Sequence, residues 1–339
     1  MKKLMSMFVA LSVFAFGFNV NAVETDIDSS DTPAGTKSPC ATIEVSESES
    51  DYLIYNVETG KTSYYSFANL FEAEANTITS VDGESTPSKV VGEEIPPSEP
   101  VSPSAIVGSD NRTKVNSTTV GPYSSTVYIV ATFPNGQTKR GSGFMIGPSA
   151  VATAGHCVYV KDYGGIASSV EVFPAKNGST NPYGKATSSN VLVSSAYVSN
   201  GLVNNDWAVV ELNSKIGNQT GWLGLKWQTA SYNGQFVYNT GYPYGDYAPS
   251  GQNSANPYMY QGTGYIKESV SAYFKGDWDS SGGNSGGPVF AYYSDTGYTA
   301  IGILTNGSVT STNGSNYPTA FTTATRITET VFNLFKSYQ

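Results

Sequence analysis

The string Gly283-Asn284-Ser285-Gly286-Gly287, with Pro288 after it, sets a serine among glycines near the end of a chain that holds one histidine, His156. A serine hydroxyl attacks poorly until a neighbouring base takes its proton. Any imidazole base here must be His156, in the stretch VATAGHCVY. A single histidine also rules out the two-histidine zinc motif H-E-x-x-H, and Cys40 and Cys157 lie in separate segments, which rules out a cysteine-rich metal site. No cofactor is expected.

Residues 283–287 formally fit G-x-S-x-G, the nucleophile elbow of α/β-hydrolases. That elbow needs a helix after the serine and the chain order Ser, acid, His. Here His156 precedes Ser285, and Pro288 opens the strand-like run PVFAYY, so the elbow fails on both counts. The order His, acid, Ser remains, and Asp162, Asp206, Asp246, Asp277 and Asp279 are the candidate acids. Asp206 opens DWAVVEL, where a carboxylate entering an apolar strand can orient an imidazole from behind. The bland reading of Asp206 is a turn residue at a strand start. Asp277 and Asp279 stand too near Ser285 for that role.

Positioning such residues takes a rigid frame, and the composition indicates its kind. Charged residues are 13% and aromatics 13%, with 24 Tyr and 35 Gly, a profile that suits half-buried pleated strands joined by Gly-rich loops. Short runs such as TVYIVATF, GSGFMIG, AVATAG, NVLVSSAYV, GQFVYNTGYP and TAIGILTNG alternate with Gly, Pro, Asn and Ser clusters. The expected fold is all-β: two packed antiparallel β-barrels over residues 105–339, closed by a C-terminal helix in TETVFNLFKSYQ.

The N-terminal part is of another kind. MKKLMSMFVALSVFAFGFNVNA, residues 1–22, reads as a secretory signal peptide, so the expected enzyme is secreted, extracellular and free of the membrane once it is cut. Residues 23–104 hold sixteen Asp and Glu against three Lys, whereas residues 105–339 hold eleven acids against thirteen Lys and Arg. This boundary, with the Pro-rich linker GEEIPPSEPVSPS, predicts an acidic prosegment, within which DYLIYNVETGKTSYYSF alternates well enough to form strands. A net charge of −9 argues against nucleic acid as a partner.

Together TAGHC, DWAVVEL and GGNSGGP resemble the three motifs of chymotrypsin-like serine proteases. With IVGSDNRTKV, GYP and LTNG they are similar to the secreted glutamyl endopeptidases of Gram-positive bacteria. The resemblance implies His156 as general base, Asp206 as its orienting partner and Ser285 as nucleophile, with the N–H groups of Gly283 and Ser285 as the oxyanion hole. It implies polypeptide substrates, a monomer, and the chain's own prosegment as a partner before maturation. It places Asp279, Ser280, Leu304, Thr305 and Asn306 at the specificity pocket. Leu304 stands where those enzymes carry a histidine, which predicts a weakened preference for Glu. Asn284 replaces the aspartate that pairs with a freed N-terminus in trypsin, and Gly141 takes the place of the usual partner of Cys157. A Cys40–Cys157 pairing in the precursor stays open. The expected function is a secreted serine endopeptidase made as a precursor; an inactive homologue acting as a binding protein or adhesin, and an esterase on the same triad, are the alternatives. An unperturbed His156 would put the acid limb of activity near pH 6.5.

Overall fold

Six runs of β-branched and small apolar residues curl into the first barrel: Thr126–Thr132, Thr138–Gly147, Ala150–Thr153, Ser169–Pro174, Ala186–Ser194 and Ala208–Leu212. Their alternation is visible in Ser169–Pro174, where Val170 and Val172 point inward between half-buried neighbours. All pairings round this barrel are antiparallel, and it closes where Glu171 and Val172 meet Thr187 and Ala186. The computed structural model of the chain describes residues 44–68, 83–85, 110, 112–244, 249, 252–253, 255–312 and 318–339.

The second barrel is also six-stranded and antiparallel: Phe236–Gly241, Tyr260–Ser269, Tyr273–Gly276, Pro288–Tyr293, Gly297–Thr312 and Pro318–Arg326. It closes between Pro288–Tyr293 and Gly297–Thr312. Pro288 sits at the first position of its strand, where a missing N–H costs least. The closing helix, Glu329–Lys336, starts at Thr328, whose hydroxyl caps Val331 N–H. It buries Val331, Phe332, Leu334 and Phe335 in the core of the first barrel. The expected pair of antiparallel barrels with a C-terminal helix is what the chain forms.

Some local expectations differ. The end of NVLVSSAYV is helical from Ser195 to Asn200, because the Ser194 hydroxyl accepts the Tyr197 N–H and starts a turn that β-branched content alone does not reveal. Asp206 precedes its strand by two residues and ends the short turn Val203–Asn205. The strands Tyr260–Ser269, Tyr273–Gly276 and Pro318–Arg326 were not singled out in the sequence, because Gly, Lys and Thr interrupt their apolar pattern.

The acidic N-terminal part does contain strands: a hairpin joins the first barrel, and Gly83–Ser85 pairs antiparallel with Leu225–Trp227 in the sheet of the second. Tyr52–Asn56 pairs antiparallel with residues 190–194 and with Thr62–Tyr65, and Tyr52, Leu53 and Ile54 are buried in the barrel core. The expected signal peptide, the region near Ser104 and Cys40 lie outside the described residues. Cys157 is buried and unpaired among the described residues.

Candidate active site

The site begins at the end of strand Ala150–Thr153, where the turn Gly155–Val158 lifts His156 out of the barrel. Gly155 is required there: a Cβ would lie 2.8 Å from the Tyr197 ring and 3.2 Å from Asp206 Oδ1. Without it, Asp206 reaches the turn twice. Its Oδ1 accepts the His156 backbone N–H at 2.9 Å, and its Oδ2 accepts from His156 Nδ1 at 2.7 Å. A carboxylate only accepts, so Nδ1 carries the proton and the lone pair of Nε2 faces outward. Asp206 is 5% exposed and the His156 side chain 24%, the arrangement of a buried orienting acid behind an accessible imidazole. Thr325, from the second barrel, hydrogen-bonds the Val203 and Asp206 carbonyls and so fixes the acid-bearing turn.

Ser285 comes from the opposite barrel on a turn with two left-handed glycines. Gly283 has φ of 87° and Gly286 of 85°. A Cβ on Gly286 would fall 2.1 Å from Thr153 Oγ1 and 2.2 Å from the Ser142 carbonyl, so this glycine lets the turn press against the histidine-bearing barrel. The Ser285 carbonyl accepts from Ser142 N–H at 2.8 Å and from Cys157 Sγ at 3.5 Å. Cys157 follows His156 directly, so the turns carrying Ser285 and His156 share a contact. Gly141 makes room for it, since a Cβ there would meet the Cys157 sulfur at 2.9 Å.

The direction of the Gly283 N–H is set by one peptide plane. Tyr244 N–H donates to the Gly282 carbonyl at 2.7 Å. In a trans peptide the carbonyl and the following N–H point in opposite directions, so fixing that carbonyl turns the Gly283 N–H away from Tyr244. Ser142 Oγ holds the Gly283 carbonyl at 2.7 Å while accepting Tyr242 N–H at 2.9 Å. Among the described residues, neither Gly283 N–H nor Ser285 N–H donates to a backbone carbonyl. Two donors are thus available beside the serine.

Desolvation pulls the His156 pKa down, and charge on Cys157 and Asp206 pushes it up; the upward direction prevails.

The other expected acids are engaged elsewhere. Asp162 is exposed on the turn Lys161–Tyr163. Asp277 accepts Tyr265 N–H and pairs with Lys267 at 2.9 Å, and Asp246 lies outside the described residues. Of the expected pocket residues, Asp279 and Ser280 are half-buried, with Ser280 Oγ 3.1 Å from Thr322 Oγ1. Thr305 is buried and donates to the Thr323 carbonyl. Leu304 is 2% exposed and packs with Phe274, Trp278 and Val289 in the second barrel's core. The Asn306 side chain lies outside the described residues. One charged group near this pocket escaped sequence reasoning: Arg112, whose guanidinium donates to Ser281 Oγ at 2.7 Å. Its only local signal was Asp110 two residues earlier.

The trypsin family matches residues 111–331. Glutamyl endopeptidase of Bacillus licheniformis (strain ATCC 14580) is 35% identical over 242 residues, 70% of this chain and 70% of that protein. A protein of Bacillus subtilis (strain 168) called extracellular metalloprotease is 36% identical over 233 residues, 68% of each chain. The solved structure of Glu endopeptidase in complex with MPD aligns with a TM-score of 0.56 at 26% identity, covering 68% of this chain and 96% of that one. The protease Anisep from Arthrobacter nicotinovorans shares the fold, with a TM-score of 0.51 at 22% identity over 63% of this chain and 95% of its own. The chain belongs to the trypsin family, as a serine endopeptidase of chymotrypsin-like fold related to the glutamyl endopeptidases.

Proposed function

We propose that this endopeptidase cleaves peptide bonds through His156, Asp206 and Ser285, by way of an acyl-enzyme. Ser285 Oγ attacks the scissile carbonyl while Nε2 of His156 takes its proton and later returns it to the leaving amine. Asp206 holds the tautomer that makes this possible, and the Gly283 and Ser285 N–H groups stabilise the oxyanion. The observation that carries this reading is the double grip of Asp206 on His156, at 2.9 and 2.7 Å, in a chain with no other histidine.

The name of the Bacillus subtilis relative raises a metal-dependent reading. Among the described residues no three of His, Cys, Asp and Glu gather into a possible metal site, and the one histidine is engaged by Asp206, which favours the serine reading. We further propose that the enzyme is secreted as a precursor, with residues 23–104 as prosegment, and that its preference for Glu is weaker than in its glutamyl-specific relatives. Support for the latter is that the Leu304 side chain is turned into the barrel core and that Ser280 and Thr305 are neutral, so none of the three offers positive charge: a buried carboxylate needs donors or positive charge to replace lost hydration.

Ser285→Ala tests the nucleophile. Losing it should cost roughly 10⁶-fold in kcat while the melting temperature stays within a few degrees. A fluorophosphonate probe should label the wild type at Ser285 and leave the variant unlabelled. Labelling at another serine would overturn the assignment, and failure to cleave any peptide amide would favour an esterase or an inactive homologue. Near-exclusive cleavage after Glu in a denatured protein mixture would contradict the weakened preference.

A further inference from the structure

Neither the barrels nor the proposed triad explains why an arginine is buried beside the serine turn. The Arg112 side chain is 3% exposed. Two of its nitrogens are taken by Asp110, with Nε donating to Oδ1 at 2.8 Å and Nη2 to Oδ2 at 2.9 Å, the fork geometry that guanidinium offers a carboxylate. The backbone N–H of Arg112 adds a third bond to Asp110 Oδ1, at 3.1 Å. So aimed, Nη1 reaches Ser281 Oγ at 2.7 Å, across 169 positions of sequence.

Ser281 is the start of the turn that presents the serine. Its N–H donates to Asn284 Oδ1 at 3.2 Å, and its carbonyl accepts Asn284 N–H at 3.1 Å. Asn284 is 1% exposed and stands directly before Ser285. Between Ser281 and Asn284 lie two glycines, Gly282 and Gly283, which have no conformational preference strong enough to hold the turn by themselves. Gly262 lets the parts approach: a Cβ there would sit 2.7 Å from the Asp279 carbonyl and 3.6 Å from Arg112 Cγ.

We propose that Arg112, held by Asp110, is a positioning residue that fixes the Ser281–Ser285 turn in the geometry that binds the oxyanion. A neutral Asn284 cannot pair with an ammonium group, and its side chain already serves Ser281. The cation reaches the turn from the side, through Ser281. Its carboxylate partner balances its charge, which suits a strut better than a receptor for an acidic substrate side chain.

The proposal rests on Gly283 and Ser285 forming the oxyanion hole, so the experiment reads the two separately. Wild type, Arg112→Ala, Arg112→Lys and Ser281→Ala, each expressed as the full chain and recovered in its secreted, processed form, are compared for fluorophosphonate labelling of Ser285, melting temperature, and kcat and KM on peptides with Glu or Leu before the cleaved bond. We expect Arg112→Ala to lower kcat at least tenfold on both peptides with KM within about twofold, because small misplacements at the reacting centre are costly. Ser281→Ala, which cannot collapse the fold by removing a buried charge, should lower kcat in the same sense, and Arg112→Lys should restore part of it. A loss confined to the Glu peptide would overturn the proposal in favour of a pocket charge. Unchanged kcat in Ser281→Ala, or a lower melting temperature with kcat intact, would overturn it in favour of a simple anchor. A wild type that is not labelled at Ser285 would instead defeat the reading beneath it.

Discussion

Two of the segments on the N-terminal side of the barrels, a hairpin and a short strap, extend a barrel's sheet and hold on by opposite means. The hairpin Tyr52–Asn56 and Thr62–Tyr65 lies along five residues of the first barrel. It inserts Tyr52, Leu53 and Ile54 into the core, and its ring of Phe67 sits 6.1 Å from Trp207, which in turn meets Phe335 of the closing helix. The strap Thr113–Lys114 pairs with only Tyr260 and Gln261 of the second barrel, both of its residues are exposed, and beside it stands the Asp110–Arg112 clamp. Apolar burial stabilises roughly in proportion to area and has no direction. A charge-assisted hydrogen bond has direction, but the cost of desolvating its ions leaves little net stability. The hairpin is therefore suited to holding the segment that bears Asp206, and the strap to aiming the turn that bears Ser285.

The sharpest way to break this division is to remove the chemistry from the first barrel and leave its packing alone. Asp206→Asn keeps the shape but lets His156 lose its Nδ1-protonated tautomer, for which about 10⁴ in kcat is expected. The melting temperature should barely move at neutral pH. A loss below tenfold would mean that something other than Asp206 orients His156.

Next in size is the apolar cover. Leu53 is 6% exposed, and Leu53→Ala in the full-length chain should cost about 2–5 kcal/mol, by transfer and by the cavity left behind. Measured by chemical unfolding, that loss should come with kcat unchanged at low temperature. A variant that keeps its stability but loses kcat would invert the roles assigned to hairpin and strap.

How far the sequence foretold these regions follows from how each signal is written. His156 and Ser285, the proposed base and nucleophile, stood out in the sequence because their residue types are scarce or set in a glycine frame, and Asp206, which the fold brings against His156, because it opens an apolar run. The Tyr52 hairpin was legible as strands, yet not as part of the barrel: alternation states a period and a face but does not name the neighbour. Arg112 was invisible, since its meaning comes from Ser281, which the chain brings near only by folding. Leu304 was read by its position in a motif, which did not indicate that its side chain would pack with Phe274 and Trp278 in the core.

The smallest effect expected is one of pH, and it separates the two regions cleanly. The proposed base must be neutral to accept a proton; desolvation lowers the His156 pKa but Cys157 and Asp206 together raise it above 6.5, so the acid limb of kcat should lie above pH 6.5 and not at it. The same shift acts on stability with the opposite sense. A raised folded-state pKa contributes stability that is fully present below pH 6.5 and fades as pH rises through the folded value, so activity should rise while the melting temperature slips slightly. The Asp110 carboxyl moves the other way: the hydrogen bond from Arg112 lowers its pKa below 3.8 against opposing desolvation. Its contribution is present above the unfolded value and lost only as pH falls through the folded one, so the strap is silent across the activity limb. Titrating kcat and melting temperature in parallel should then show the limb shifted down in Asp206→Asn and unmoved in Arg112→Ala. A limb that moves with Arg112 would mean that the clamp senses the proton on His156, and that the two edges are electrostatically one site.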